Sequence, residues 1–220
     1  MKKSKLFSLI TASLFLLFII FTLLVKIVGV QPVGPLGSKI GFASLNAKIF
    51  LKLGVNQTMY GVTEKLGLFT FLIMGAFVVL GLVQLIKGKS FKSVDYKIWA
   101  LGAFYVIVLA FYVLFEIVII NYRPVLIDGE LEASYPSSHT LLSICVVSSA
   151  IIVLKDLIKN KPLKITAFIV GAVLMAVMVV GRLISGVHWF TDILGGIILS
   201  LALVSLFYMT ILILKDKLCK

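Results

Sequence analysis

Arg123, His139, Arg182 and His188 are the only arginines and histidines in 220 residues. All four fall in three short motifs: Tyr122-Arg123-Pro124, Pro136-Ser137-Ser138-His139, and a third that runs from Arg182 through His188 to Asp192. Every other cation is a lysine. Arginine offers a planar, permanently charged fork that grips phosphate oxygens two at a time. Histidine can be a nucleophile or a proton donor near neutral pH. His188 and Asp192 stand four apart, which on a helix puts them on one face, one turn apart. An Asp that accepts from one imidazole nitrogen fixes the tautomer and leaves the other nitrogen facing outward. His188 held in that way can attack phosphorus. His139, from another segment, can protonate the leaving oxygen. With Arg123 and Arg182 to neutralise the transferring group, this is a phosphoryl-transfer set that needs neither metal nor organic cofactor.

The elements that must bring these residues together are membrane helices. Mean hydropathy is +1.17; hydrophobic residues make up 61% of the chain and charged residues 14%. Soluble domains do not carry several uncharged apolar runs of this length. Six spans are expected, at roughly 6–28, 66–86, 97–120, 138–158, 163–183 and 189–214, within one integral-membrane domain over residues 1–220. The opening apolar stretch, Leu6 to Val25, is longer than the core of a secretory signal and is expected to stay as the first span. Lys159-Asn160-Lys161-Pro162 is a tight turn whose proline suits the first turn of the next helix. In the first outer loop, Phe42, Leu45, Ile49 and Leu53 recur at helical spacing. They predict a short amphipathic helix, either lying in the interface or packed over the bundle. The fold class is therefore all-α membrane protein.

Fourteen of the 21 Lys and Arg residues fall on the side that holds both termini, and seven fall on the other. This bias puts both termini in the cytoplasm and the three motifs on the outer face of the cell membrane. The formal charge of +12 then sits at helix ends, where it meets an anionic bilayer. No basic stripe with interleaved aromatics suggests a nucleic-acid partner. Cys145, in an apolar run, and Cys219, next to last, are not expected to pair. Oligomeric state leaves no mark in the sequence.

Two motifs lie where helices begin. Ser137 or Ser138 is a natural N-cap for the fourth span, and His188 opens the sixth. Two helix amino termini and two guanidinium groups on one face suit a phosphate. The three motifs, their order and spacing, and the six-span layout resemble the type 2 phosphatidic acid phosphatase superfamily. That group includes bacterial lipid phosphate phosphatases and the vanadium haloperoxidases. The resemblance implies that His188 becomes phosphorylated, His139 is the general acid and Asp192 orients His188. It further implies that Arg123, Arg182, Ser137 and Ser138 hold the phosphate, and that the chain hydrolyses a lipid phosphate or diphosphate. The substrate classes implied are phosphatidylglycerophosphate, phosphatidic acid and undecaprenyl diphosphate.

Three positions depart from the family's pattern: Ser138 replaces its Gly, Gly181 its Ser, and Glu116 the Lys seven residues before the first Arg. The two exchanges of one small residue for another are expected to be mild. Glu116 exchanges a cation for an anion, and a membrane acid is usually paired. With Arg123 two helical turns away, a structural salt bridge to an arginine or an interfacial lysine is the leading expectation, with recognition of a cationic or hydroxyl-bearing head group as the second and altered catalysis as the third. Trp99, Tyr122, Tyr135 and Trp189 are expected as interface-belt aromatics, and Asp128, Glu130 and Glu132 as solvated loop acids. Two other functions remain open on the same residues. One is a phosphotransferase that passes the phosphoryl group of His188 to a lipid or sugar. The other is a non-catalytic protein that binds or transports anionic lipid.

Overall fold

The computed structural model describes residues 3–218; Cys219 lies outside them. The chain is an all-α multi-pass membrane protein. In order its helices are α1 (Lys3–Ile27), α2 (Ala43–Leu53), α3 (Gln57–Gly88), α4 (Tyr96–Ile117), α5 (Ser138–Leu157), α6 (Lys161–Ile184) and α7 (Phe190–Leu218). All but the short α2 are long and apolar enough to cross a bilayer. In hydrocarbon a backbone must bond to itself, so each apolar run closes into a helix. Side chains mark the starts: Asn56 accepts from Met59 N at 2.9 Å, Asp95 from Lys97 N at 2.8 Å and Asn160 from Leu163 N at 3.0 Å. The last of these caps α6 within the expected Lys-Asn-Lys-Pro turn.

α5 is the central helix, with 56% of its apolar window buried against 11% for α6. Small residues such as Ser143, Cys145, Ser149 and Ala150 let its neighbours approach closely. α1 runs along α7, where Thr11 and Ser205 hydroxyls bond at 2.8 Å. Phe104 of α4 meets Phe207 of α7 at 4.9 Å between ring centroids, in the same core as Leu101, Val146 and Leu203. The packed α4, α5 and α7 form the rigid post on which the motifs stand.

Three sequence expectations change here. α3 begins at Gln57, a full two turns before residue 66, so the loop before it is shorter and Glu64 lies on a helix. α2 forms where its periodicity places it, yet Leu45 and Leu53 are exposed. The buried polar residue Asn46 anchors it instead, donating to Gly41 O at 2.8 Å and Thr191 Oγ1 at 2.9 Å and accepting from Thr191 N at 3.2 Å. Trp189 and Tyr135 are core residues, not belt residues. Trp189 Nε1 donates to Tyr122 O at 2.7 Å, and the Tyr135 hydroxyl bonds Thr22 Oγ1 at 2.7 Å.

The α4–α5 connection, residues 118–137, is a narrow backbone ribbon. Tyr122 pairs with Ala133 and Ile127 with Glu130, and the ribbon closes through Asp128 and Gly129 with φ of 50° and 85°. Asp-Gly with both residues left-handed is the tight hairpin turn that fits twisted paired chains. The ribbon fixes Asn121, Arg123, Glu132 and Ser134 beside one another.

Candidate active site

The nucleophile candidate, His188, sits between α6 and α7. Gly186 allows the chain to enter that loop: its φ is +72°, and a Cβ there would lie 2.3 Å from Gly54 O. Asn56 N also donates to Ser185 O at 3.1 Å, tying the start of α3 to the same loop. His188 is buried, and its Nδ1 lies 3.1 Å from Ser134 O. A carbonyl only accepts, so this contact places the proton on Nδ1 and the lone pair on Nε2. That lone pair faces Arg182 Nη2 at 3.2 Å. Burial, with Arg123, Arg182 and His139 nearby, holds His188 well below the ordinary imidazole range. The ring is neutral, and its Nε2 points at cations.

Asp192 supports this ring at one remove. The carboxylate is wholly buried; Oδ2 accepts from the Ser134 hydroxyl at 2.5 Å and from Trp189 N at 2.9 Å, and Oδ1 accepts from Asn121 Nδ2 at 3.0 Å. No direct hydrogen bond joins Asp192 to His188 among the described residues. Ser134 stands between them, its Oγ 3.0 Å from His188 Nδ1. The direct Asp–His contact expected from the four-residue spacing is thus replaced by a relay. His188 lies just before the helix that carries Asp192, where helical register does not apply.

The second histidine is held differently. His139 occupies the first turn of α5, its ring laid on the α3 backbone at Gly67, where a Cβ would come within 2.6 Å of Cδ2. Its Nε2 lies 3.5 Å from Glu64 Oε2, and its Nδ1 has no hydrogen-bond partner among the described residues. Glu64 Oε1 accepts from Arg182 Nη1 at 2.8 Å. Arg182 is wholly buried, with Thr63 Oγ1 at 3.3 Å and the Tyr60 ring 5.4 Å from its guanidinium carbon.

Arg123 extends from the ribbon, and its Nε lies 3.0 Å from Glu132 Oε2. Glu132 is therefore a paired acid, not one of three solvated ones. Arg123 Nη1, Arg182 Nε and Ser137 Oγ are buried donors without hydrogen-bond partners among the described residues. Ser137 occupies the N-cap position of α5, but its hydroxyl caps nothing and its N–H donates to Asp192 O at 3.0 Å. Ser138 is the first helical residue. Buried donors of this kind are satisfied by an anion's oxygens. A narrow crevice lined by Glu116, Ser134, Ser138 and His188 adjoins the site, and a cavity of about 80 Å³ borders His139 between Gly67, Phe71, Tyr112 and Leu142. A larger groove, about 580 Å³, lies at the far end of the bundle between Lys97, Ile152, Phe168 and Lys215, away from every motif residue.

A sequence profile of the PAP2 superfamily matches residues 100–214, which carry all three motifs. The chain belongs to the PAP2 superfamily. Among curated proteins none matches it. The crystal structure of a transmembrane PAP2 type phosphatidylglycerolphosphate phosphatase from Bacillus subtilis has a similar fold. It shares 21% identity and a TM-score of 0.57 over 90% of this chain and 94% of that one.

Against the PAP2 pattern, the three departures have different structural settings. At Gly181 a Cβ would lie 2.7 Å from Thr63 Cγ2, so the family's Ser would displace Thr63 or be displaced by it. That exchange is matched to α3, not merely mild. Ser138 fits at the helix start without a clash. Glu116 is not paired with Arg123, whose carboxylate partner is Glu132. It is exposed at the end of α4 and helps line the crevice to His188. The salt-bridge expectation fails because the ribbon brings Glu132 to the guanidinium first.

Sequence reasoning missed Glu64, Thr63, Asn121 and Ser134. Asn121 and Ser134 had a signal, since Asp128-Gly129 predicts a hairpin that pairs their flanks. Glu64 had none beyond being an acid at the edge of an apolar run.

Proposed function

We propose that the chain is an integral-membrane lipid phosphatase that works through a phosphohistidine on the outer face of the cell membrane. His188 Nε2 attacks the phosphorus of a lipid phosphate or diphosphate. The P–N bond forms as the P–O bond to the lipid breaks, and the leaving oxygen takes a proton from His139. His139 then takes a proton from water, the hydroxide displaces His188, and inorganic phosphate departs. Arg123, Arg182, the Ser137 hydroxyl and the start of α5 at Ser138 hold the phosphoryl oxygens in each step. Asp192 keeps His188 in its reactive tautomer through Ser134.

One observation carries the reading: His188 presents its Nε2 lone pair to the buried Arg182 guanidinium, and Arg123 Nη1, Arg182 Nε and Ser137 Oγ are buried donors left without partners among the described residues. The lysine bias supports the orientation, with both termini cytoplasmic. The PAP2 phosphatase fold supports the lipid substrate class, of which phosphatidylglycerophosphate, phosphatidic acid and undecaprenyl diphosphate are members. We place all of residues 1–220 in this one domain.

The test is His188→Ala in purified protein supplied with those lipids. Phosphate release falls by about 10⁴-fold or more, and acid-labile phosphoprotein, trapped by rapid quench in the parent, disappears. Retention of the label by the variant would show that another residue is the nucleophile. A phosphorylated lipid or sugar appearing in place of inorganic phosphate would assign transfer over hydrolysis.

A further inference from the structure

Glu64 belongs to none of the three motifs, and α3 lies outside the residues matched by the PAP2 profile. Its two oxygens nevertheless touch two groups that a phosphorylated substrate requires. Oε1 takes a hydrogen bond from Arg182 Nη1 at 2.8 Å, and Oε2 lies 3.5 Å from His139 Nε2. Arg182 is wholly buried, and Glu64 is its paired carboxylate among the described residues. A buried guanidinium left without an anion is strongly disfavoured, so before phosphate arrives the carboxylate supplies the missing charge. A phosphoryl group on the same guanidinium would repel that carboxylate. The Glu64 side chain is 41% exposed, which gives it a way out toward water. His139 does not have to follow, because Gly67 seats its ring directly on the α3 backbone.

We propose that Glu64 is a positioning residue that stands in for the phosphate. It holds Arg182 and His139 in register before substrate binds, then yields Arg182 to the phosphoryl group. The proposal rests on the phosphatase reading only in taking phosphate as the displacing anion.

The experiment is titration of the purified full-length protein with inorganic phosphate and orthovanadate, comparing the parent with Glu64→Gln. The amide keeps the shape and removes the charge. Both anions bind the variant about tenfold more tightly, as expected for removing one competing charge at a partly exposed site. The variant melts at a lower temperature without phosphate and gains more from adding it. With lipid phosphate, KM and kcat fall together, a split that a merely structural residue would not give. Equal or weaker anion affinity would overturn the proposal. Should Glu64→Gln not fold, the parent alone decides: labelling of Glu64 by a water-soluble carbodiimide rises when vanadate binds, and protection by vanadate would refute displacement. Anion titration needs no turnover. Its failure alone leaves the mechanism standing, whereas turnover surviving in His188→Ala would sink the mechanism without touching the titration.

Discussion

The two histidines are linked through Arg182 and Glu64, and the wall around each is built differently. On the His188 side, Ser134, Asp192, Asn121 and Trp189 form a buried network in which each polar group has a partner. On the His139 side, one nitrogen has no partner, the other has a 3.5 Å contact with a half-exposed glutamate, and the ring rests on a glycine. The difference fits the jobs proposed for the two histidines. A nucleophile must present one lone pair in one direction, so a rigid, fully satisfied surround serves it. A residue that gives up a proton and takes one back must tolerate both charge states, which a looser and more solvated surround allows.

The largest break in that comparison comes from His139→Ala. With alkyl phosphates, which leave poorly, loss of the acid lowers kcat by about 10²–10⁴-fold. With p-nitrophenyl phosphate the leaving group needs no proton, so phosphorylation of His188 continues while its hydrolysis slows. Stopped-flow absorbance then records a burst of about one nitrophenolate per site, followed by slow turnover. Equal losses with both substrates and no burst would mean that His139 holds phosphate and does not move protons.

Much of this contrast was legible before any fold was known, but unevenly. The His188 wall is local in sequence: Arg182, His188 and Asp192 fall within one loop-to-helix turn, and hydropathy alone sets six helices with that turn at a helix end. What spacing could not give was the relay through Ser134, because His188 stops short of the helix and its Nδ1 turns to the ribbon. The ribbon itself had a readable signal in Asp128-Gly129, with both residues at positive φ. Glu64 had no such signal. Apolar-run counting started α3 near residue 66, since Thr63, Glu64 and Lys65 look like loop. The helix runs on because its N-terminal end packs against the His188 loop, with Asn56 capping it and donating its N–H to Ser185. Tertiary contact, not hydropathy, sets that boundary.

A smaller effect is expected where the nucleophile's wall is trimmed without removing its main support. In Ser134→Ala the backbone carbonyl still takes the Nδ1 proton of His188, while the link to Asp192 is lost. Asp192 keeps Asn121 and Trp189 N as donors. The loss should be about 10-fold to 100-fold in kcat, the usual range for a residue that orients another, with KM little changed. Steady-state kinetics on one lipid substrate suffices to measure it. A loss as large as that of His188→Ala would mean that the hydroxyl, and not the carbonyl, sets the tautomer.

The smallest effect belongs to Glu116, which touches neither histidine. It is exposed and lines the crevice that reaches His188, where the PAP2 pattern has a lysine. A carboxylate there repels the substrate through largely aqueous surroundings, so the interaction is weak and screened by salt. Glu116→Lys should raise kcat/KM for phosphatidic acid, whose phosphate is the whole head group, by about threefold to tenfold at low ionic strength, and by less as salt is added. For phosphatidylglycerophosphate the gain should be smaller, because the one free hydroxyl of its head-group glycerol can hydrogen-bond the native carboxylate and loses that partner in the variant. Assaying both lipids across a salt series separates the two contributions. An equal, salt-independent change for both would place Glu116 outside substrate recognition and leave specificity to the α3 wall around His139.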